Sequence, residues 1–330
     1  MPSSQLCMAF IMDPIESIAV ASDTTFGLML EAQRCGHRVL YLEPHDLRVD
    51  AGGPAAKARG VALRPEAGRH VTFTEACEVH LDEDIDVVFQ RKDPPVDAAY
   101  VATTQILTLC ERALVLNRPR GILAANEKLY ALHFRDLMPE TLVARRIPEL
   151  LAFMDKLGGE MVVKPLDGKG GEGIFHVHNR DRNLFSILEQ VTQFERRWIM
   201  AQRYLSAVRS EGDKRILLLE GEPLGALTRI PSEREHRANL HVGGRAEPAE
   251  LDAADRRIVE RLAPALRRDG LFFVGIDVIG GYLTEVNVTS PTGIREMDAL
   301  YGKTLESEVI GRVEELAAAR IGSLTNSKKH

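Results

Sequence analysis

The first apolar run of the chain, LCMAFIM at residues 6–12, is unbroken and reads as a buried strand. DTTFGLMLEAQRCG comes next as a helix, with Asp23 placed to cap its start and Gly36 to stop it, and HRVLYLEP returns as the next strand. Together they predict a βαβ unit. DIDVVFQRKDPP supplies another strand that breaks at Pro94-Pro95, and ALVLN a further one after a helix around residues 100–110. Residues 1 to about 120 therefore predict a small parallel α/β domain. From Met161 onward the pattern changes. Short strands arrive in hairpin-like pairs (MVVKP, IFHVH, WIMAQRYL, KRILLLEGEPLGALTRI), with helices near residues 181–194 and 253–268, which predicts an antiparallel α+β architecture. The closing GSLTNSKKH is polar and reads as a frayed tail.

Composition narrows the function classes. A chain of 330 residues, 45% hydrophobic and 27% charged, is long enough for two or three domains with substantial cores. Its net charge of -6 argues against a polyanion-binding surface, so nucleic acid is not expected as a partner, although a local basic pocket for phosphates is allowed. Cys7, Cys35, Cys77 and Cys110 are widely spaced, which fits reduced thiols in a cytoplasmic protein. The first apolar run lacks a charged leader and meets Asp13-Pro14, too early for a signal peptide or a membrane span.

The first chemical signal is KPLDGKGGEGIF. Gly168, Gly170 and Gly173 satisfy G-x-G-x-x-G after a strand, yet the loop leads into the strand-like IFHVH, whereas a dinucleotide fingerprint must open a helix. Strand, glycine loop, strand is a hairpin instead. Such a loop can fold over a triphosphate and present backbone N–H groups, with Lys164 supplying a point charge just before it. The ligand-free alternative is a glycine-rich surface hairpin.

The second signal is GIDVIGGYLTEVNV. A two-residue loop at Gly280-Gly281 would set Ile276 against Glu285 and mix polar with apolar groups on both faces. A three-residue loop, Gly280, Gly281 and Tyr282, sets Asp277 opposite Glu285 and Gly275 opposite Asn287. Val274, Ile276, Val278, Val286 and Val288 then share a buried face, and Asp277, Glu285 and Asn287 share the other. Carboxylates facing each other across a ladder repel unless something positive lies between them. An all-oxygen set favours Mg²⁺ or Mn²⁺, completed by waters and substrate phosphates; a solvated acidic face is the alternative.

The blocks FIMDPI, QRKDPP, LNRPRGILAANEKLY, VVKPLDGKGGEGIF, AQRYL, GDKRILLLEGEPLGALTRIP, NLHVGGRAEP, FFVGIDVIG and LTEVNVTSPTGIRE succeed one another from Phe10 to Glu296, within a likeness that runs from about Ala9 to Ile321. In this order they resemble the bacterial glutathione synthetase family of the ATP-grasp superfamily. The resemblance implies an ATP-grasp fold, α/β and α+β, behind an N-terminal Rossmann-like domain. The domains would be a substrate domain at residues 1–122, a central lid at 123–204 and a C-terminal ATP-grasp domain at 205–321, with 322–330 as the tail. It also implies ligation of gamma-glutamylcysteine to glycine by an ATP-dependent enzyme, through an acyl phosphate, and a homotetramer. The alternatives are another ATP-grasp carboxylate–amine ligase and a nucleotide-binding regulator without catalysis.

Carried over by position, the resemblance puts Lys128 and Lys164 on the ATP phosphates under a loop with Gly168, Gly170, Gly171 and Gly173. Gln202, Arg203, Tyr204 and Leu205 would form the adenine hinge, with Asp213 at the ribose. Asp277, Glu285 and Asn287 would hold two Mg²⁺ ions, and Arg215 and Arg229 would face the transferred phosphoryl and acyl groups. Arg91, Lys92, Ser290, Thr292 and Arg295 would serve the dipeptide and glycine. The chemistry asks for these groups: charge must be neutralised on the phosphoryl group and the oxyanion, and water excluded from the acyl phosphate. A cover for the site is expected in PSEREHRANLHVGG, although SEREH is richer in charge than a mobile family loop. Other residues read blandly. His176 and His178 share a strand face without a third ligand nearby in sequence and read as exposed strand histidines, Cys7 and Cys35 as small core residues, and Trp198 as packing.

Overall fold

The computed structural model describes residues 5–231 and 244–327, with side chains to residue 323. The cover segment expected at 231–244 lies almost wholly outside the described residues.

β1 (Cys7–Ile11) and β2 (Arg38–Leu42) run parallel, joined by α1 (Thr24–Arg34). The Asp23 carboxylate caps that helix by accepting from the Phe26 amide at 2.6 Å. β3 (Leu47–Asp50), β4 (Gly53–Leu63), β5 (Val71–His80) and the short α2 (Leu81–Asp84) come next, then β6 (Val87–Gln90), α3 (Ala98–Leu107), β7 (Leu114–Leu116) and α4 (Pro119–Ala124). The heart of this sheet, β2-β1-β6-β7, is parallel as expected. The sheet as a whole is not. β3, β4 and β5 add antiparallel strands, with β4 shared between β5 on one edge and β2 and β3 on the other. β5 is largely solvated, so no apolar run announces it.

β8 (Thr141–Ala144), α5 (Ile147–Lys156), β9 (Glu160–Pro165), β10 (Phe175–His178), α6 (Leu184–Val191) and β11 (Ile199–Gln202) form the central unit. Its four strands are antiparallel in the order β10-β9-β11-β8. Alternation assigns the faces: Met161, Val163, Val177, Ile199 and Ala201 pack on Leu150, Met154 and Leu188 of the two helices. Val162, Lys164 and Gln202 point to the opposite face, which lines a cleft.

The third unit comprises α7 (Ala207–Ser210), β12 (Asp213–Leu219), β13 (Glu222–Ile230), β14 (Arg245–Pro248), α8 (Ala253–Asp269), β15 (Phe273–Ile279), β16 (Tyr282–Asn287), α9 (Ile294–Tyr301) and α10 (Leu305–Ser327). The sheet is antiparallel, in the order β14-β13-β12-β15-β16. One face, with Ile216, Leu218, Val274, Ile276 and Val286, packs against Ile258, Leu262 and Leu266 of α8. The other is divided. At one end Leu217, Leu227 and Phe273 join the N-terminal core beside Phe26 and Phe89, and at the other end the same alternation places Asp213, Arg215, Arg229 and Asp277. Asn117, just past β7, clamps the two units: its amide donates to the Phe273 and Val288 carbonyls at 2.9 and 2.8 Å and accepts from the Phe273 amide at 2.7 Å.

Three local expectations are corrected. α10 continues through Ser327, its Val309, Ile310 and Val313 packed into the N-terminal core, so the frayed tail does not begin at residue 322. Cys35 is exposed at the end of α1 rather than packed, while burial pushes the half-buried Cys7 thiol up to about 11. Trp198 is half exposed, with the Arg145 guanidinium 5.4 Å from its ring centre.

Candidate active site

The site begins in the β15–β16 hairpin. Asp277 lies opposite Glu285 and Gly275 opposite Asn287, as the sorting of faces requires. The turn is different. Ile279 pairs with Tyr282 across only Gly280 and Gly281, both at positive φ, and the extra residue is absorbed by a bulge at Thr284, whose hydroxyl donates to the Asp277 carbonyl at 3.1 Å. A two-residue turn plus a bulge thus gives the pairing that sequence pattern assigns to a three-residue loop.

The carboxylates of this hairpin each meet a cation of the protein. Arg215, opposite Asp277 on β12, places Nε 2.6 Å from Oδ1, and the Arg229 guanidinium lies 2.9 Å from the same carboxylate. Burial pushes the Asp277 carboxyl up, but the two guanidiniums outweigh it and hold the pKa far below the usual range. Lys128 sits 3.2 Å from Glu285 and donates to the Gly168 carbonyl at 3.0 Å, tying the hairpin to the glycine loop. Asp213 pairs with Arg229 at 2.5 Å, yet burial and the nearby Asp277 charge push its pKa up to about 7. Its Oδ1 is buried with no hydrogen-bond partner. Lys164 is buried on the facing sheet, and desolvation lowers its pKa.

Lys128, Lys164, Asp213, Asp277 and Glu285 line a cleft between the two antiparallel sheets. Of the expected nucleotide residues, Lys128, Lys164, Gly168, Gly170, Gly171, Gln202, Arg203, Tyr204, Leu205 and Asp213 all line it. Gly173 does not. It sits on the outer side of the loop at φ +69°, where an added Cβ would meet Pro165 at 3.0 Å, so it shapes the loop instead of lining the cleft. The loop passes from β9 to β10 with no helix after it.

The cleft opens onto a polar cavity bounded by Arg215, Arg229, Asn287, Ser290 and Thr292. Arg91, Lys92 and Arg295 do not line this cavity. Buried Arg91 spans the units, donating to Thr25 Oγ1 at 3.0 Å and the Pro291 carbonyl at 2.9 Å, and desolvation lowers its pKa to about 10. Lys92 pairs with Asp13 at 2.8 Å and Arg295 with Glu306 at 3.4 Å. Sequence reasoning passes over Glu127 and gives Asp23 only a capping role. Glu127 is held by the Val288 and Thr289 amides and the Thr289 hydroxyl, and Asp23 lines the cavity while capping α1. Glu127 stands beside Lys128, and an acid next to a phosphate-binding lysine is the signal that could have found it.

Two antiparallel sheets closing lysines and a carboxylate hairpin around one cleft define the ATP-grasp class of ATP-dependent ligases. Solved structures agree on the fold: D-cycloserine synthetase DcsG aligns with a TM-score of 0.65 at 16% identity, covering 94% of this chain and 99% of that one. D-alanine–D-alanine ligase of Bacillus anthracis aligns with a TM-score of 0.60 at 15% identity, covering 97% and 100%. The family models for the prokaryotic glutathione synthetase N-terminal domain and ATP-grasp domain match residues 6–122 and 127–302, and the chain belongs to this family. It is 45% identical to a glutathione synthetase of Mesorhizobium japonicum over 304 residues (92% of this chain, 96% of the relative). It is 48% identical to that of Gloeobacter violaceus over 309 residues (91% and 94%).

Proposed function

We propose that this cleft joins the cysteinyl carboxylate of gamma-glutamylcysteine to the amine of glycine, forming glutathione, ADP and phosphate. The observation that carries the reading is the convergence of Lys128, Lys164 and the row Arg215, Asp277, Glu285 where the nucleotide cleft meets the polar cavity. ATP would lie with its adenine against Gln202, Arg203, Tyr204 and Leu205 and its phosphates under Gly168, Gly170 and Gly171. Lys128 and Lys164 would take phosphate charge. The unpartnered Asp213 Oδ1 is suited to accept from a ribose hydroxyl.

The oxygen-only set Asp277, Glu285 and Asn287 fits a hard cation. Two Mg²⁺ ions are the proposed occupants, Mn²⁺ being the other hard cation that an all-oxygen set accepts, and when bound they would neutralise charge developing on the γ-phosphoryl group. Arg215 and Arg229, already aimed at the row, would neutralise charge on the transferred phosphoryl and the acyl oxygen. Ser290 and Thr292 offer hydroxyls to the peptide substrate across the cavity. Arg91, Lys92 and Arg295 are proposed to hold the walls that shape it, since each is engaged by groups of the protein itself. The division at residues 122 and 204, a cytoplasmic setting and a homotetramer complete the proposal; four free thiols support the second and family resemblance the third. No helix among the described residues is long and apolar enough to cross a membrane. The test is ADP release with each substrate omitted in turn. Release should require ATP, gamma-glutamylcysteine and glycine together, and release without glycine would point to another acceptor or to hydrolysis.

A further inference from the structure

The histidines of β10 gain from the fold the partner that the sequence does not offer. His178 lies directly across the ladder from Glu160 of β9, and His176 shares its face two residues earlier. Glu160 Oε2 is 2.9 Å from His176 Nε2 and 3.6 Å from His178 Nδ1. One donor atom from each of the three lies within 4.8 Å of the others. We propose that Glu160, His176 and His178 form a transition-metal site on the central unit, with zinc as its characteristic ion.

Two imidazoles and one carboxylate with an open fourth position are a zinc donor set, and ligand distances near 2 Å require only small side-chain movements from this arrangement. Imidazole nitrogen disfavours Mg²⁺, which separates this site chemically from the oxygen-only hairpin. The ring of His176 lies flat on Tyr204, with centroids 3.7 Å apart and planes 14° apart, which restricts its orientation. His178 and Glu160 are about half exposed, so an ion can enter and water can fill the remaining position. The site stands independently of the ligase reading.

The test is zinc titration of the full-length, chelator-stripped protein in saturating Mg²⁺, against a chromophoric zinc chelator as competitor. Wild type should take up one zinc at least about tenfold more tightly than either His178→Ala or Glu160→Gln. The Cys35→Ser variant should match wild type, and His178→Ala should give the wild-type urea unfolding midpoint in zinc-free buffer, which shows it is folded. Equal zinc affinity in wild type and both site variants would overturn the proposal, as would loss of uptake on removing the Cys35 thiol.

Discussion

Arg215 and Asp277 face each other on neighbouring strands, and their side chains close the gap at 2.6 Å from Nε to Oδ1. Both are buried, and Gly275 makes the arrangement possible: a Cβ there would press on the Arg215 guanidinium at 3.3 Å and on Pro291 at 3.0 Å. Asp277 is therefore neutralised by the protein before any ligand arrives. The arginine that neutralises it also borders both the cleft's carboxylates and the polar cavity.

Replacing Arg215 by Met keeps the length and removes the charge. Breaking a buried pair typically destabilises by ~3–5 kcal/mol, and the effect here should fall at the low end because Arg229 still neutralises Asp277. Turnover should drop about 10²–10³-fold if Arg215 acts on the transferred group. Urea unfolding and ADP release measure the two separately; unchanged turnover would leave Arg215 a structural partner only.

Glu285→Gln preserves shape but removes the charge that faces Lys128 and completes the metal set. The variant should melt below wild type, because it leaves the buried Lys128 ammonium without its carboxylate partner. Its Mg²⁺ requirement should rise sharply and its turnover fall by roughly three orders of magnitude or more. A Mg²⁺ titration of ADP release checks this, and a near-normal curve would remove Glu285 from the metal set.

Much of this site is legible in the sequence because alternation alone sorts Asp277, Glu285 and Asn287 from the valines, and because a glycine loop between two strands rules out a dinucleotide fold. The turn escapes such a reading because a bulge at Thr284 and an added loop residue give the same pairing, and sequence pattern registers only the pairing. The antiparallel strands at residues 47–80 escape it because β3 and β5 are largely solvated and β4, though mostly buried, is built largely on alanine and glycine and shows little apolar alternation to read. Arg91 and Arg295 carry a substrate assignment by resemblance; what the sequence pattern does not show is that the Pro291 carbonyl and the Glu306 carboxylate engage them.

The glycine loop should behave as a closing cover. Lys169 reaches Asp93 at 3.1 Å, but both are well exposed, so this contact holds the loop weakly. Limited proteolysis at residues 168–173 should be fast in the free protein and slow with nucleotide and Mg²⁺. Identical nicking rates would leave an inert hairpin.

Stability should carry a pH signature away from the cleft. Burial, together with a hydrogen bond to Glu306, pushes the Asp298 pKa up to about 7. The folded state then holds a proton that the unfolded chain releases near the ordinary Asp value, so stability falls as pH rises from about 4 to about 7 and levels off above. Asp298→Asn should flatten that slope in urea midpoints measured across the window. A slope unchanged by the substitution would assign the proton elsewhere.

Transfer of an oxygen atom separates acyl-phosphate chemistry from every other use of ATP in this cleft. If the cleft activates the cysteinyl carboxylate by phosphorylation, glycine displaces phosphate at the acyl carbon, and one carboxylate oxygen must leave in that phosphate. Gamma-glutamylcysteine labelled with heavy oxygen in its cysteinyl carboxylate should therefore give singly labelled phosphate in step with ADP and glutathione. Unlabelled phosphate formed alongside stoichiometric glutathione would contradict the account, and label appearing in AMP would place the chain with adenylating ligases.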